Sequence, residues 1–260
     1  MSPLPAAPGG PRDWDPGLYD TISDMQLGWG RAVLERLELT GDERVLDAGC
    51  GTGKVTALIA ERVPRGHVIG IDGSPSMVEG ARSRARPNTT FIVSDLLELQ
   101  FDEPVDVVFS NATFHWIHDH DRLFRRLHDA MRPGGRLEVQ FGGKGNVAAL
   151  EEAVDRVSGM PPFAEHLAAV PRPWHFPSAE ATAAALEEAG FVEARCWIDH
   201  MTESFDEARD LRACGVGHHL DLLPEALHDG FVDAVVDEME DPTVREYVRL
   251  NASARRPERA

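Results

Sequence analysis

No window of the chain stays apolar for the roughly 20 residues that a membrane-spanning helix needs, because charge interrupts every apolar run among the 260 residues. A soluble protein is expected. Cysteine is scarce too: Cys50, Cys196 and Cys214 are odd in number, far apart and in no metal-ligand spacing. That pattern argues against a disulfide framework and a zinc site, and it favours a reducing cytoplasm. Positive charge is short as well, with 26 Lys and Arg against 44 Asp and Glu and a formal net charge of -18. Such a balance repels a phosphate backbone, so no nucleic-acid partner is expected. The only basic cluster, Arg255, Arg256 and Arg259, reads as a solvated tail. Residues 1–12 are rich in Pro, Gly and Ala without the basic start and apolar stretch of a signal peptide, and they read as a disordered leader.

From Glu43 onward, short β-branched runs alternate with helical patterns, which is the signature of a parallel sheet wound with helices on both faces. Four runs are clear: Arg44-Val-Leu-Asp47, His67-Val-Ile-Gly-Ile-Asp72, Thr90-Phe-Ile-Val-Ser-Asp95 and Val105-Asp-Val-Val-Phe-Ser110. Each ends on a polar residue. In an open α/β sheet, ligands bind outside the carboxyl ends of the strands, where these residues fall. Helices are predicted over residues 54–62, 75–86, 121–131, 146–157 and 179–189, the second with Ser74 as N-cap and Pro75 in its first turn. Residues 136–141 and 192–201 read as strands, and residues 160–177, rich in proline, as an irregular cap. Helical periodicity returns over residues 205–213 and 224–239, and residues 246–254 are expected to close the sheet as an antiparallel strand.

The strongest motif is Val45-Leu-Asp-Ala-Gly-Cys-Gly-Thr-Gly53, a strand that runs into a loop with glycines at 49, 51 and 53 before a helix. Glycine lets the backbone turn sharply and lets a ligand approach closely. A dinucleotide site prefers Gly-x-Gly-x-x-Gly, and here the third glycine comes one residue early; a P-loop needs Gly-Lys-Ser/Thr, which Gly53-Lys-Val-Thr lacks. Phosphate cradling is disfavoured. Asp72, about 20 residues beyond the loop, is placed to accept from both hydroxyls of a ribose. Asp95 with the backbone of Leu96 can frame an adenine edge. One nucleoside without phosphates accounts for all three features.

The stretch from Val45 to Phe141 resembles the class I S-adenosylmethionine-dependent methyltransferases, on the Asp47 to Gly53 loop, Asp72 with Ser74 and Met77, Ser94-Asp95, Asn111 and Arg132-Pro-Gly-Gly135. The resemblance implies a Rossmann-like, mostly parallel seven-stranded sheet with N-terminal lid helices and a helical cap inserted after the fifth and sixth strands. It divides the chain into lid helices over residues 13–40, a cofactor-binding core over 41–142, and a remainder over 143–260 with the substrate-cap segments. S-adenosylmethionine is the implied cofactor. Asp47, Gly49, Cys50, Gly51 and Gly53 would border its methionine part, Asp72 and Gly73 its ribose, Met77, Ser94, Asp95 and Leu96 its adenine, and Asn111 its sulfonium.

A narrower likeness covers Asn111-Ala-Thr-Phe-His-Trp-Ile117 and Trp14-Asp-Pro-Gly-Leu-Tyr19, which are similar to segments of trans-aconitate, juvenile-hormone-acid and malonyl-carrier-protein methyltransferases. It implies a small-molecule acid as substrate, with Gln26 and Trp116 against its carboxyl. A carboxylate is ionised at neutral pH and needs no base. A phenol, alcohol, amine or carbon acceptor would need one, and His115 or His118 is the candidate. Two other classes stay open on the residues: a dehydrogenase with an atypical glycine loop, and a regulator that binds the nucleoside without transferring a methyl group. No metal is expected at His118, Asp119 and His120, and a structural role is expected for His218, His219 and Trp174. Trp14, Tyr19 and Trp29 form either a lid or simple packing.

Overall fold

A computed structural model describes residues 12–17, 24–204, 211 and 215–258. Residues 1–11, Tyr19, Cys214, Arg259 and most of the helix expected over residues 205–213 lie outside the described residues.

Seven strands form one sheet: β1 (Arg44–Ala48), β2 (His67–Asp72), β3 (Thr89–Val93), β4 (Val105–Asn111), β5 (Met131–Gly142), β6 (Val192–Ser204) and β7 (Val244–Arg255). Their order is β3-β2-β1-β4-β5-β7-β6. The first five are parallel, and β7 lies antiparallel between β5 and β6. The doubly wound sheet expected from the alternation, with the seven strands that the resemblance implies, is therefore found. Strand order reverses between β1 and β4, so a crevice opens at their carboxyl ends.

The described helices are α1 (Asp24–Glu35), α2 (Lys54–Arg62), α3 (Pro75–Arg82), α4 (His120–Ala130), α5 (Ala148–Ser158), α6 (Ala164–Leu167), α7 (Ala179–Glu188), α8 (Gly217–Leu222) and α9 (His228–Glu238). On one face α1 and α2 bury Val33, Leu34 and Ile59 against Val45, Val107 and Phe109. On the other, α4 and α7 bury Leu123, Phe124, Leu127 and Leu186 against Leu46, Val108, Leu137 and Val139. A third cluster joins α5, α6, α8 and α9 to Trp29 of α1 and Tyr247 of β7. No described helix is long and apolar enough to cross a membrane.

Several boundaries differ from the sequence expectation. The helix expected over residues 75–86 ends at Arg82, because Pro87 disfavours helical backbone at the residue before it. The irregular stretch of residues 160–177 contains the short α6, and α8 was not anticipated at all. The helix expected over residues 224–239 begins as a 3₁₀ turn at Glu225–Leu227 and becomes α-helical only at His228.

Candidate active site

β1 carries its chain straight into the glycine loop. Gly49, Gly51 and Gly53 all adopt positive φ, at 82°, 52° and 78°, a region that side chains with a Cβ occupy at a cost. The loop is tied to the end of β2: Gly49 N and Cys50 N donate to Ile71 O at 2.7 and 3.0 Å. The Asp72 carboxylate accepts from Gly51 N at one oxygen and from Ser74 N at the other, both at 2.9 Å. Asp72 thus holds the loop and the start of α3 in one arrangement.

An open cleft of about 430 Å³, mouth included, lies over this loop and is lined by Gln26, Asp47, Gly49, Cys50, Gly51 and Asn111. These are sequence-expected residues brought together. Leu27, Thr52, Lys54, Val55 and Phe109 line it as well and were not singled out; adjacency to Gln26 and to the glycine loop was the only available signal. Asn111 fixes the roof, since its Nδ2 donates to Gln26 O at 2.9 Å. Gly30 lets α1 approach, because a Cβ there would stand 2.7 Å from Val55 Cγ2. Asn111 Oδ1 is buried and accepts no hydrogen bond among the described residues. A buried acceptor of this kind is costly unless a ligand donates to it.

Asp72, Gly73, Met77, Ser94, Asp95 and Leu96 do not line that cleft but follow it along the neighbouring strand ends. Met77 is buried in the first turn of α3, its N–H capped by Ser74 Oγ at 3.2 Å. Ser94 N donates to Asp72 O, joining the ends of β2 and β3. Asp95 accepts from Leu97 N at 2.9 Å and so opens the 3₁₀ turn Leu96–Glu98. The three acids therefore stand in sequence from β1 to β3.

After Asn111 the chain turns through Ala112, a non-glycine residue at φ 57°, into the 3₁₀ turn Phe114–Trp116. Trp116 is half-buried in an aromatic wall: Trp14 meets it edge-on at 4.9 Å and Trp174 lies at 6.0 Å. Trp174 in turn stacks on Phe176. The Trp14 contact was invisible in the sequence because it spans the chain. Residues 12–17 are pinned at their N-terminal end: Asp13 accepts from Ser74 Oγ and Ser76 N at 2.5 and 3.0 Å, and Arg12 pairs with Asp221 at 2.6 Å. Trp29 packs on Tyr247 and Arg249. Of the expected lid aromatics, Trp14 packs on Trp116 and Trp29 is buried in the third cluster.

Electrostatics follow burial. Asp47 is enclosed and its carboxyl is pushed up to about 7, mainly by desolvation; a hydrogen bond from Thr56 Oγ1 opposes the rise and the charge of Asp72 adds to it. Burial also raises Asp72, and it raises the Cys50 thiol well above its ordinary value, with help from both aspartates. His115 is buried and held well below the ordinary histidine range, first by desolvation and then by the charges of Arg249 and His120. Its Nδ1 accepts from Gly142 N at 3.3 Å, so the ring proton sits on Nε2 and His115 presents a donor. His118 is exposed, with Nε2 at 3.3 Å from Pro173 O. His219 stacks on Phe231, but its buried Nδ1 has no hydrogen-bond partner among the described residues, so it is packed rather than satisfied as expected. Among the described residues no group of three His, Cys, Asp or Glu is arranged to hold a metal ion.

The Methyltransferase domain family matches residues 45–135, the segment from β1 to the start of β5. A trans-aconitate 2-methyltransferase of Methylobacterium nodulans is 35% identical over 190 residues, which cover 72% of this chain and 67% of that protein. The chain belongs to the class I S-adenosylmethionine-dependent methyltransferases. Within them it groups with the trans-aconitate methyltransferases, and S-adenosylmethionine is its cofactor. A second relative of that name, from Rhizobium rhizogenes, is 40% identical over 128 residues, covering 49% of this chain and 50% of its own length. With that relative the match spans about half of each chain. A phosphoethanolamine N-methyltransferase 2 from Haemonchus contortus, solved with S-adenosyl-L-methionine, superimposes with a TM-score of 0.61 at 22% identity, over 94% of this chain and 57% of that one. That likeness is one of fold. The cleft fits the cofactor on this structure's own terms: a buried carboxyl at Asp47 and an unmet acceptor at Asn111 Oδ1 suit the ammonium of a methionine moiety.

Proposed function

We propose that this methyltransferase esterifies a carboxylate of a small-molecule acid. Asp47, Gly49, Cys50, Gly51, Gly53 and Asn111 hold the amino-acid part of the cofactor, Asp72 with Gly73 the ribose, and Met77, Ser94, Asp95 and Leu96 the adenine. Gln26 on α1 and Trp116 orient the acceptor carboxyl. Bound S-adenosylmethionine supplies an electrophilic methyl group on a sulfonium. The protein's own part is alignment: holding two reactants at near-attack distance is worth roughly 7–11 kcal/mol, more than a positioned base typically adds. One observation carries the choice of acceptor. The histidine nearest to Trp116 is buried, neutral and bound through Nδ1 to the Gly142 amide, so it offers a hydrogen-bond donor and no base. An acceptor that needs no deprotonation matches that environment, and the relatives named for trans-aconitate point to the same chemistry. The charge balance and the free Cys50 and Cys196 accord with a cytoplasmic enzyme acting on small molecules.

The test is the fate of a labelled methyl group. With radiolabelled S-adenosylmethionine and a panel of acids, phenols and amines, the label is expected in a product that releases volatile methanol in alkali, as an ester does. Label that stays non-volatile would refute the carboxylate assignment. At saturating cofactor, kcat/KM for the acid is expected to be flat from pH 6 to 8.5, because His115 is neutral throughout and the acid already ionised. A bell-shaped profile in that range would restore a titrating base.

Trp116→Ala is expected to lower kcat/KM for the acceptor by about 10- to 100-fold through loss of alignment. Calorimetry should find S-adenosylhomocysteine affinity changed less than threefold. Equal losses in both would make Trp116 part of the cofactor wall instead.

A further inference from the structure

β5 ends at Gly142, and from there Gly143-Lys-Gly-Asn-Val147 forms a loop before α5. The loop rises beside the acceptor side of the site. Gln140 stands in register with Asn111 across β4 and β5, and Gly142 lies two residues farther out, about 7 Å along the strand. Backbone bonds tie the loop down on two sides: Gly143 N donates to Val248 O at 2.8 Å and Val147 N to Glu246 O at 3.0 Å, while Lys144 N donates to Pro177 O at 2.8 Å. Val147 takes a φ of 48°, a strained conformation for a β-branched residue.

The polar side chain that this loop buries is Asn146, 4% exposed. Val248 N donates to Asn146 Oδ1 at 3.1 Å, and that bond fixes which way the amide is turned. Nδ2 donates to no described group. It lies against Gly142: a Cβ there would stand 2.9 Å from Nδ2 and 2.5 Å from Cε1 of Phe176. Gly142 also donates its N–H to Nδ1 of His115, which leaves the ring proton of His115 on Nε2. The turn after β4, the loop after β5 and the cap segment therefore converge on one bare glycine, next to Trp116. The polar groups that meet there, His115 and Asn146, are neutral donors. A buried donor is costly to leave unmet, and a ligand oxygen would complete the bonding.

We infer that Asn146 binds the acceptor, its Nδ2 donating to the carboxylate oxygen that does not attack, so that the other oxygen faces the methyl group. The inference rests on the carboxyl-methylation proposal and adds to it a residue outside the cofactor cleft. A neutral amide suits this task. It orients an anionic oxygen while stabilising its charge less than a guanidinium or ammonium would, so the nucleophile keeps more of its reactivity. Gln26 and Trp116 hold the same carboxyl from the side of α1 and the turn after β4.

Asn146→Asp separates binding from bracing, because its carboxyl can still accept from Val248 N while the Nδ2 donor is replaced by a second acceptor. The acid is trans-aconitate or, if wild type leaves it untouched, whichever acid of the panel is methylated fastest. At saturating cofactor and pH 8.5, kcat/KM for the acid is expected to fall by roughly 100-fold, while calorimetric affinity for S-adenosylhomocysteine changes less than threefold. As pH is lowered to 6, the introduced carboxyl, favoured in its neutral form by burial and by the charge of the acid, takes up a proton and becomes a donor. The ratio of variant to wild-type kcat/KM should then climb by about 10-fold; taking the ratio cancels every titrating group the two proteins share. Asn146→Ala, which loses both bonds, should lower kcat/KM without that climb. If Asn146→Asp does not fold, the Asn146 side-chain amide of isotope-labelled wild type decides by NMR: its resonances should shift when the acid joins the S-adenosylhomocysteine complex. An Asn146→Asp enzyme with wild-type kcat/KM, a loss equal at both pH values, or an amide that does not shift would overturn the role of Asn146 while carboxyl methylation stands. A wild type that methylates no acid of the panel would overturn the carboxylate proposal and this inference together.

Discussion

Gly49→Ala is expected to abolish cofactor binding and to destabilise the protein by about 3 kcal/mol, the sum of a left-handed backbone penalty and an overpacking penalty. A Cβ at Gly49 would stand 2.1 Å from Thr113 Oγ1 and 2.2 Å from its Cγ2, on a residue whose φ is 82°. Thr113 cannot simply swing aside, because its hydroxyl bridges Gly49 O and Asn111 O at 3.3 and 3.2 Å. Relief would have to come from the loop itself or from the turn after β4, and both carry cofactor-binding groups. The check is a pair of variants measured by urea denaturation and by S-adenosylhomocysteine titration. Thr113→Gly in the Gly49→Ala background removes the steric clash but not the backbone cost, so it should recover part of the stability. If Gly49→Ala binds the nucleoside as tightly as wild type, the close approach of this loop to β4 is not what shapes the cleft.

That contact also marks the limit of what the sequence discloses. The glycine loop, Asp72 and Asp95 are legible because each is local: a strand pattern ends, a glycine or an acid follows, and a helix begins. The link between Gln26 and Asn111 is long-range, yet resemblance located both ends of it. Thr113 against Gly49 left no trace, since side-chain packing between distant segments has no period, and for Trp14 the sequence offered a lid or simple packing without naming Trp116 as its partner. Arg249 is a sharper case. In Val244-Arg-Glu-Tyr-Val-Arg249 the arginines alternate with Glu246 and Val248, and two arginines on one strand face read as the solvated side. The structure buries that face instead, because α1 lays Trp29 across it and the cap cluster continues over Tyr247. Sequence periodicity separates the two faces of a strand but does not say which of them a later helix will cover.

Asp47→Asn is the second substitution with a large expected effect, and it should act in opposite directions on stability and binding. Asp47 is 2% exposed, accepts from Thr56 Oγ1 at 2.6 Å, and has its carboxyl pushed up to about 7 from 3.8. Below the lower value both folded and unfolded chains are protonated there, so the site contributes no pH dependence. As pH rises from about 4 to about 7 the unfolded chain ionises while the folded one resists, and stability falls by about 1.4 kcal/mol per unit. The deficit then stays constant, on the order of 4 kcal/mol in the cofactor-free protein. Asparagine can keep the Thr56 hydrogen bond without the charge. Denaturation of the cofactor-free variant should therefore match wild type near pH 4 and exceed it by a few kcal/mol near pH 8. Binding should move the other way: with the carboxylate gone, nothing at β1 balances the ammonium of the methionine moiety, and affinity for S-adenosylmethionine should fall by roughly 30-fold or more. A variant that gains stability and keeps its affinity would show that Asp47 braces the loop without meeting the ligand.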